Sequence, residues 1–182
     1  MPTAILKRTK ESVAKLIDTV ASMRCISLTA AAYMLKATDT QARYWMLMAE
    51  TAQTIKVFRL GKSSQENAKV VIMCRPDVEW PDSAYLRAGD RVVKIDVHTV
   101  KTAVCLAAHE AKGGVISIMA KRALQRLLFR HVTPAMSLYF YALLERVFGD
   151  AIVGTRIKNL GYKEMAIYML DKRKVLELCN RG

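Results

Sequence analysis

Ala31-Ala32-Tyr33-Met34-Leu35-Lys36-Ala37-Thr38-Asp39-Thr40-Gln41-Ala42-Arg43-Tyr44-Trp45-Met46 is the stretch that decides how this chain is read. Small and apolar residues at Ala31, Ala32 and Leu35 suit a short helix, about 28–35, packed against a body. Lys36-Ala37-Thr38 then makes a tight turn. The Thr38 hydroxyl oxygen is placed to cap a second helix running from about Asp39 to Ala52. In that helix Ala42, Trp45, Met46 and Ala49 recur at spacings of three and four, which gathers them on one apolar face. The opposite face near its start carries Thr40, Gln41, Arg43 and Tyr44. These are donor- and acceptor-bearing side chains of the kind that meet base edges in the major groove.

Working outward, Val13, Leu16, Ile17, Val20 and Met23 give a helical period over 10–23. Arg24-Cys25-Ile26 suits a short strand before the 28–35 helix. Downstream, Ile55-Lys56-Val57-Phe58-Arg59-Leu60 alternates apolar and polar, a polar turn follows, and Lys69-Val70-Val71-Ile72-Met73-Cys74 reads as the returning strand. Lys62, Ser63 and Lys69 fall at the hairpin tip, where they would meet phosphates.

With Leu28-Thr29-Ala30-Ala31-Ala32-Tyr33-Met34-Leu35 and Asp39-Thr40-Gln41-Ala42-Arg43-Tyr44-Trp45-Met46, residues 12–74 resemble the winged helix-turn-helix superfamily. The turn position usually held by glycine there is Lys36. The resemblance implies a DNA-binding domain over 1–76 that docks as a homodimer on two half-sites. In that reading Gln41 and Arg43 reach base edges, Thr40 and Tyr44 touch phosphate or a thymine methyl, and the hairpin supplies phosphate contacts.

The whole chain has 182 residues, 52% of them apolar, and a net charge of +13. Residues 1–76 carry 12 Lys/Arg against 5 Asp/Glu and residues 113–182 carry the same numbers, while residues 77–112 carry 5 against 6. Two basic lobes flanking a near-neutral middle favour a polyanionic partner. No apolar run approaches the length of a membrane span, and the start Met1-Pro2-Thr3-Ala4-Ile5-Leu6-Lys7-Arg8 lacks a signal-peptide core, so a cytoplasmic protein is expected. In that compartment Cys25, Cys74, Cys105 and Cys179 are expected as small buried hydrophobes rather than disulfides.

The second half has less to say. Prolines and acids over 77–90 suit a linker, and Arg91 to Val97 alternates as a strand. Helices are expected from Thr99 to Gly113-Gly114, from Ser117 to Arg130, from Thr133-Pro134 to Gly149, and from Tyr162 to about Leu178. The expected fold class is therefore α+β, a winged N-terminal domain followed by a mainly α-helical C-terminal domain over 91–182. Arg122, Arg126 and Arg130 are successive fours on the expected 117–130 helix, joined by Lys121 and Gln125. They form either a solvated face or a second backbone-contacting surface. The apolar 134–148 helix is either buried within the chain or shared with a second copy.

Cys105 and His109, with His98 nearby, lack paired metal-ligand spacing, so neither a metal nor a cofactor is expected. No nucleophile–base set and no phosphate loop appears, and enzyme activity is not expected. The sequence points to a sequence-specific transcriptional regulator, bacterial or from a mobile element. The alternative is a basic subunit of a ribonucleoprotein, or of a plasmid or phage replication–partition complex, that follows the backbone of RNA or DNA. Aromatic residues are only 7% of the chain, which disfavours a single-strand RNA reader.

Overall fold

The computed structural model describes residues 3–61, 70–159 and 164–181. The fold is α+β, in two units, Met1–Ile95 and Asp96–Gly182.

The first unit runs α1 (Thr3–Met23), β1 (Cys25–Ser27), α2 (Leu28–Met34), α3 (Asp39–Thr51), β2 (Lys56–Leu60), β3 (Val70–Cys74), β4 (Ser83–Ala88) and β5 (Arg91–Asp96). Leu16 and Val20 of α1, Ala30 and Ala31 of α2, and Ala42, Met46 and Ala49 of α3 are all buried. The alanines remove side-chain bulk where α2 and α3 meet, so the two helices pack closely in a core that also holds Met46 and Met73. The strands form one sheet in the order β2-β3-β1-β4-β5. β1 lies antiparallel to β3, with Ile26 opposite Met73, and parallel to β4, with Ile26 opposite Tyr85. Nearly every side chain of β3 is buried, whereas no residue of β2 is fully buried, as suits a strand at the edge.

α2 ends in a Schellman motif: Lys36 N–H donates to the Tyr33 carbonyl (3.2 Å) and Ala37 N–H to the Ala32 carbonyl (2.9 Å). Lys36 takes the left-handed conformation, φ 54°, that a glycine would hold without penalty. α3 closes in the same way, with Gln53 at φ 59° and Thr54 N–H donating to the Ala49 carbonyl. Thr38 caps α3 as its spacing predicts.

The second unit runs α4 (Val97–Glu110), β6 (Val115–Ile118), α5 (Ala120–Arg126), α6 (Pro134–Phe148), a 3-10 turn over Gly149–Ala151, β7 (Ile152–Asn159), β8 (Glu164–Asp171) and α7 (Lys172–Asn180). Thr133 caps α6 with Pro134 in its first turn, as expected. Tyr139, Phe140, Leu143, Leu144 and Phe148 of α6 are all buried. The apolar surplus of this helix is thus taken up inside its own unit. β6, β8 and β7 form a three-stranded antiparallel sheet.

Four expectations are corrected. The 77–90 stretch contains β4, which is hydrogen-bonded into the first unit's sheet, and β5 joins the same sheet. Helices do dominate the second unit, but it also contains a sheet. Val115–Ile118 alternates exposed and buried as β6, and Glu164–Asp171 is the central strand β8 where a helix was expected. Glu, Met, Ala and Leu all favour helices, and here strand pairing overrides that propensity. The helix expected over 117–130 ends at Arg126. Leu128 closes it at φ 71° in a third Schellman motif, with Phe129 N–H donating to the Leu124 carbonyl.

The cysteines, expected as small buried hydrophobes rather than disulfides, are a further correction: they are paired, Cys25 with Cys74 and Cys105 with Cys179. Cys25 and Cys74 face each other across β1 and β3, so the sheet register itself brings them together. Cys105 of α4 meets Cys179 of α7, and a disulfide-bonded Cys105 offers no thiolate to a metal beside His109.

Candidate nucleic-acid interface

α3 presents a ridge to solvent. With Ala42, Met46 and Ala49 facing inward, the 3.6-residue period turns Thr40, Tyr44 and Leu47 directly outward. Arg43 lies beside this ridge on the flank shared with Glu50. Thr40, Gln41, Arg43 and Tyr44 are all exposed, Tyr44 to 59%. The side chains of Thr40, Arg43 and Tyr44 make no hydrogen bond or ion pair among the described residues.

Gln41 sits differently from what the sequence suggests. Its side-chain Oε1 accepts from Thr38 N–H (3.0 Å), while Gln41 N–H donates to Thr38 Oγ1 (3.1 Å). This reciprocal capping box holds the carboxamide against the helix start. Bidentate pairing with adenine uses the same oxygen, so Gln41 reaches a base either by sharing Oε1 through its second lone pair or by leaving the capping box.

The two flanks of α3 are chemically distinct. On the Arg43 side, Arg59 of β2 makes two hydrogen bonds to the Glu50 carboxylate, 3.1 Å each. The hydrogen bond to Glu50 raises the Arg59 pKa above its usual value. On the other flank the first turns of α1 and α3 leave an open cleft of about 630 Å3. Arg8, Thr9 and Ser12 line it from α1, and Thr40, Gln41, Tyr44 and Trp45 from α3. Arg8 and Ser12 were not singled out by the sequence. The signal was there in the basic run Lys7-Arg8 and Lys10, but only the α1–α3 packing shows that it borders the ridge.

No family model and no curated protein matches the chain. Among solved structures it is similar to the hypothetical protein PyrSV_gp04 from Pyrobaculum spherical virus. The two share 13% identity over 91% of this chain and 97% of that one, with a TM-score of 0.46.

Lys62, Ser63 and Lys69, expected at the hairpin tip, lie outside the described residues. The second basic group is broken up by the early end of α5. Arg122 and Arg126 lie one turn apart on that helix, but Arg130 is beyond it and does not continue their row. Arg126 pairs with Glu110 of α4 at 2.6 Å, and that hydrogen bond holds the Glu110 carboxyl below its usual pKa. Arg122 is exposed at the border of a cleft of about 270 Å3 lined by Leu106, Ile118, Met119 and Leu127. The structure therefore brings together Thr40, Arg43 and Tyr44 on α3, sets Arg8 and Ser12 of α1 beside Thr40 and Tyr44, and leaves Arg122 and Arg126 in the other unit.

Among the described residues no group of three His, Cys, Asp or Glu is arranged to hold a metal. No described helix is long and apolar enough to cross a membrane.

Proposed function

We propose that the first unit is a winged helix-turn-helix domain that reads duplex DNA with α3, and that the chain is a sequence-specific regulator. One observation carries this reading: a helix sealed into the core by Ala42, Met46 and Ala49 projects Thr40, Arg43 and Tyr44 outward without partners among the described residues. The order helix, strand, helix, helix, hairpin supports it, as does the antiparallel pairing of β1 with the hairpin strand β3. β4 and β5 are additions to that plan.

In this reading Arg43 donates to a guanine edge. Tyr44 and Leu47 pack on thymine methyls or sugar, and Thr40 anchors a phosphate. A good bidentate contact discriminates between bases by about 1–3 kcal/mol. Asp39 in the first turn of α3 favours the helix dipole and keeps phosphate away from that one position.

The test is selection from a random duplex pool with wild type and Arg43→Ala in parallel, and an RNA pool beside them. A duplex motif enriched by wild type and lost with Arg43→Ala is expected. A palindromic motif would report two copies bound at once. Enrichment from the RNA pool alone would overturn the regulator reading in favour of the ribonucleoprotein alternative, which draws on the basic second unit and its exposed Arg122.

A further inference from the structure

We infer that the cleft between α1 and α3 seats the sugar–phosphate backbone of one strand of the duplex whose groove α3 enters. The inference rests on the duplex reading above and adds to it a second contact element, α1, with its own residues.

The geometry comes from the size of a helix. An α-helix with its side chains is about 10–12 Å across, and the major groove is about 12 Å wide. A helix lying in that groove has a phosphate strand along each flank. On α3 one flank holds Arg43 and the Glu50–Arg59 pair, and the other is the α1 cleft. A strand beside α3 on that side runs across Arg8, Ser12 and Thr40.

The lining chemistry suits such an occupant. The rings of Tyr44 and Trp45 give apolar surface of the kind that packs on deoxyribose. Around them stand the Arg8 guanidinium and the Ser12 and Thr40 hydroxyls, none with a partner among the described residues. Among the described residues no carboxylate lines the cleft. Charge points the same way: Lys7, Arg8, Lys10 and Lys15 of α1 are exposed, against Glu11 alone over the same stretch, with Asp39 the nearest acid on α3. An apolar floor edged by donors and surplus positive charge matches a phosphodiester with its sugar. Side chains of this kind position a protein on DNA without reading sequence.

The experiment measures binding of the full chain to its selected duplex and to a scrambled duplex across a sodium chloride series. Wild type, Arg8→Ala, Ser12→Ala and Arg43→Ala are compared, each with its thermal unfolding as a control of fold. Arg8→Ala should weaken both duplexes by the same factor and flatten the log-affinity against log-salt slope by about 0.9. Ser12→Ala should weaken both duplexes equally with an unchanged slope. Arg43→Ala should instead narrow the gap between selected and scrambled duplex. An unchanged slope and affinity for folded Arg8→Ala, with wild type still discriminating, would sink the cleft while leaving the duplex reading standing. No discrimination by wild type would remove both.

Discussion

At the residue scale, Leu128 isolates a cost that the fold bears at several helix ends. It holds φ 71° with its side chain 87% exposed, so its left-handed conformation is penalised and no packing offsets it. A non-glycine residue in this region costs about 1–2 kcal/mol, and the extra freedom of an unfolded glycine returns about 0.4–1 kcal/mol of that. Leu128→Gly should therefore raise stability by about 0.5–1 kcal/mol in urea unfolding, and a fall would contradict the assignment of Leu128 as the helix-closing residue. Lys36→Gly should act in the same direction in the first unit. These positions also explain where the sequence misleads. Thr38 and Thr133 were legible because a cap and its target lie three residues apart. The end of α5 was not, since the residue that closes it is a leucine, which carries no stop signal, and so the spacing of Arg130 reads as helical. Gln41 was legible as a polar residue on α3 but not as half of a capping box that draws its carboxamide back to the helix start.

At the scale of elements, strand pairing decides what local propensity could not. β8 is central in its sheet, and its fit depends on β6 and β7, which come from before and after α6 in the chain. The same holds for the cysteines, whose partners are 49 and 74 residues away. Closing a loop of 49 residues removes unfolded-state entropy corresponding to about 4 kcal/mol in the chain-entropy model, and observed effects run about 2–4 kcal/mol. The double variant Cys25→Ser/Cys74→Ser should lose that much in guanidinium unfolding. A thiol count on the denatured, unreduced wild type should find no free cysteine; a count of four would refute both bridges.

α6 is tied to the sheet by two tyrosines. Tyr141 Oη accepts from Ala120 N–H and donates to the Ala166 carbonyl, and Tyr168 Oη donates to the Glu145 carboxylate. Burial raises both phenol pKa values above the ordinary 10.0. Above about pH 10 the unfolded chain loses these protons while the folded one keeps them. The stability they provide is thus complete below pH 10 and declines as pH climbs toward the folded values. Tyr168→Phe should cost about 1 kcal/mol at neutral pH through the lost hydrogen bond and should flatten the alkaline decline. An unchanged alkaline limb would mean that Tyr168 does not govern it.

At the scale of the whole molecule, each unit has its own sheet, its own buried core and its own disulfide. The division falls between Ile95 and Asp96, and Asp96 caps α4 by accepting from Thr99 N–H at 2.8 Å. A break at that bond leaves the cap with the helix it serves and leaves the first unit's sheet short of only its last residue. Residues 1–95 and 96–182 made separately should each fold cooperatively, and their amide spectra should largely superimpose on that of the intact chain. A 1–95 fragment without dispersed signals would show that its core needs the other half. Charge makes the functional half of the prediction. Residues 1–95 carry 15 Lys/Arg against 9 Asp/Glu and residues 96–182 carry 14 against 7, so neither half holds the basic surplus alone. If base reading belongs to α3 and the second unit adds backbone contacts through residues such as Arg122, the 1–95 fragment keeps the motif selected by the intact chain. It should bind that motif more weakly and with a shallower salt dependence. Equal affinity and equal slope would confine the nucleic-acid contact to the first unit, whereas loss of the motif would place part of the reading surface beyond residue 95.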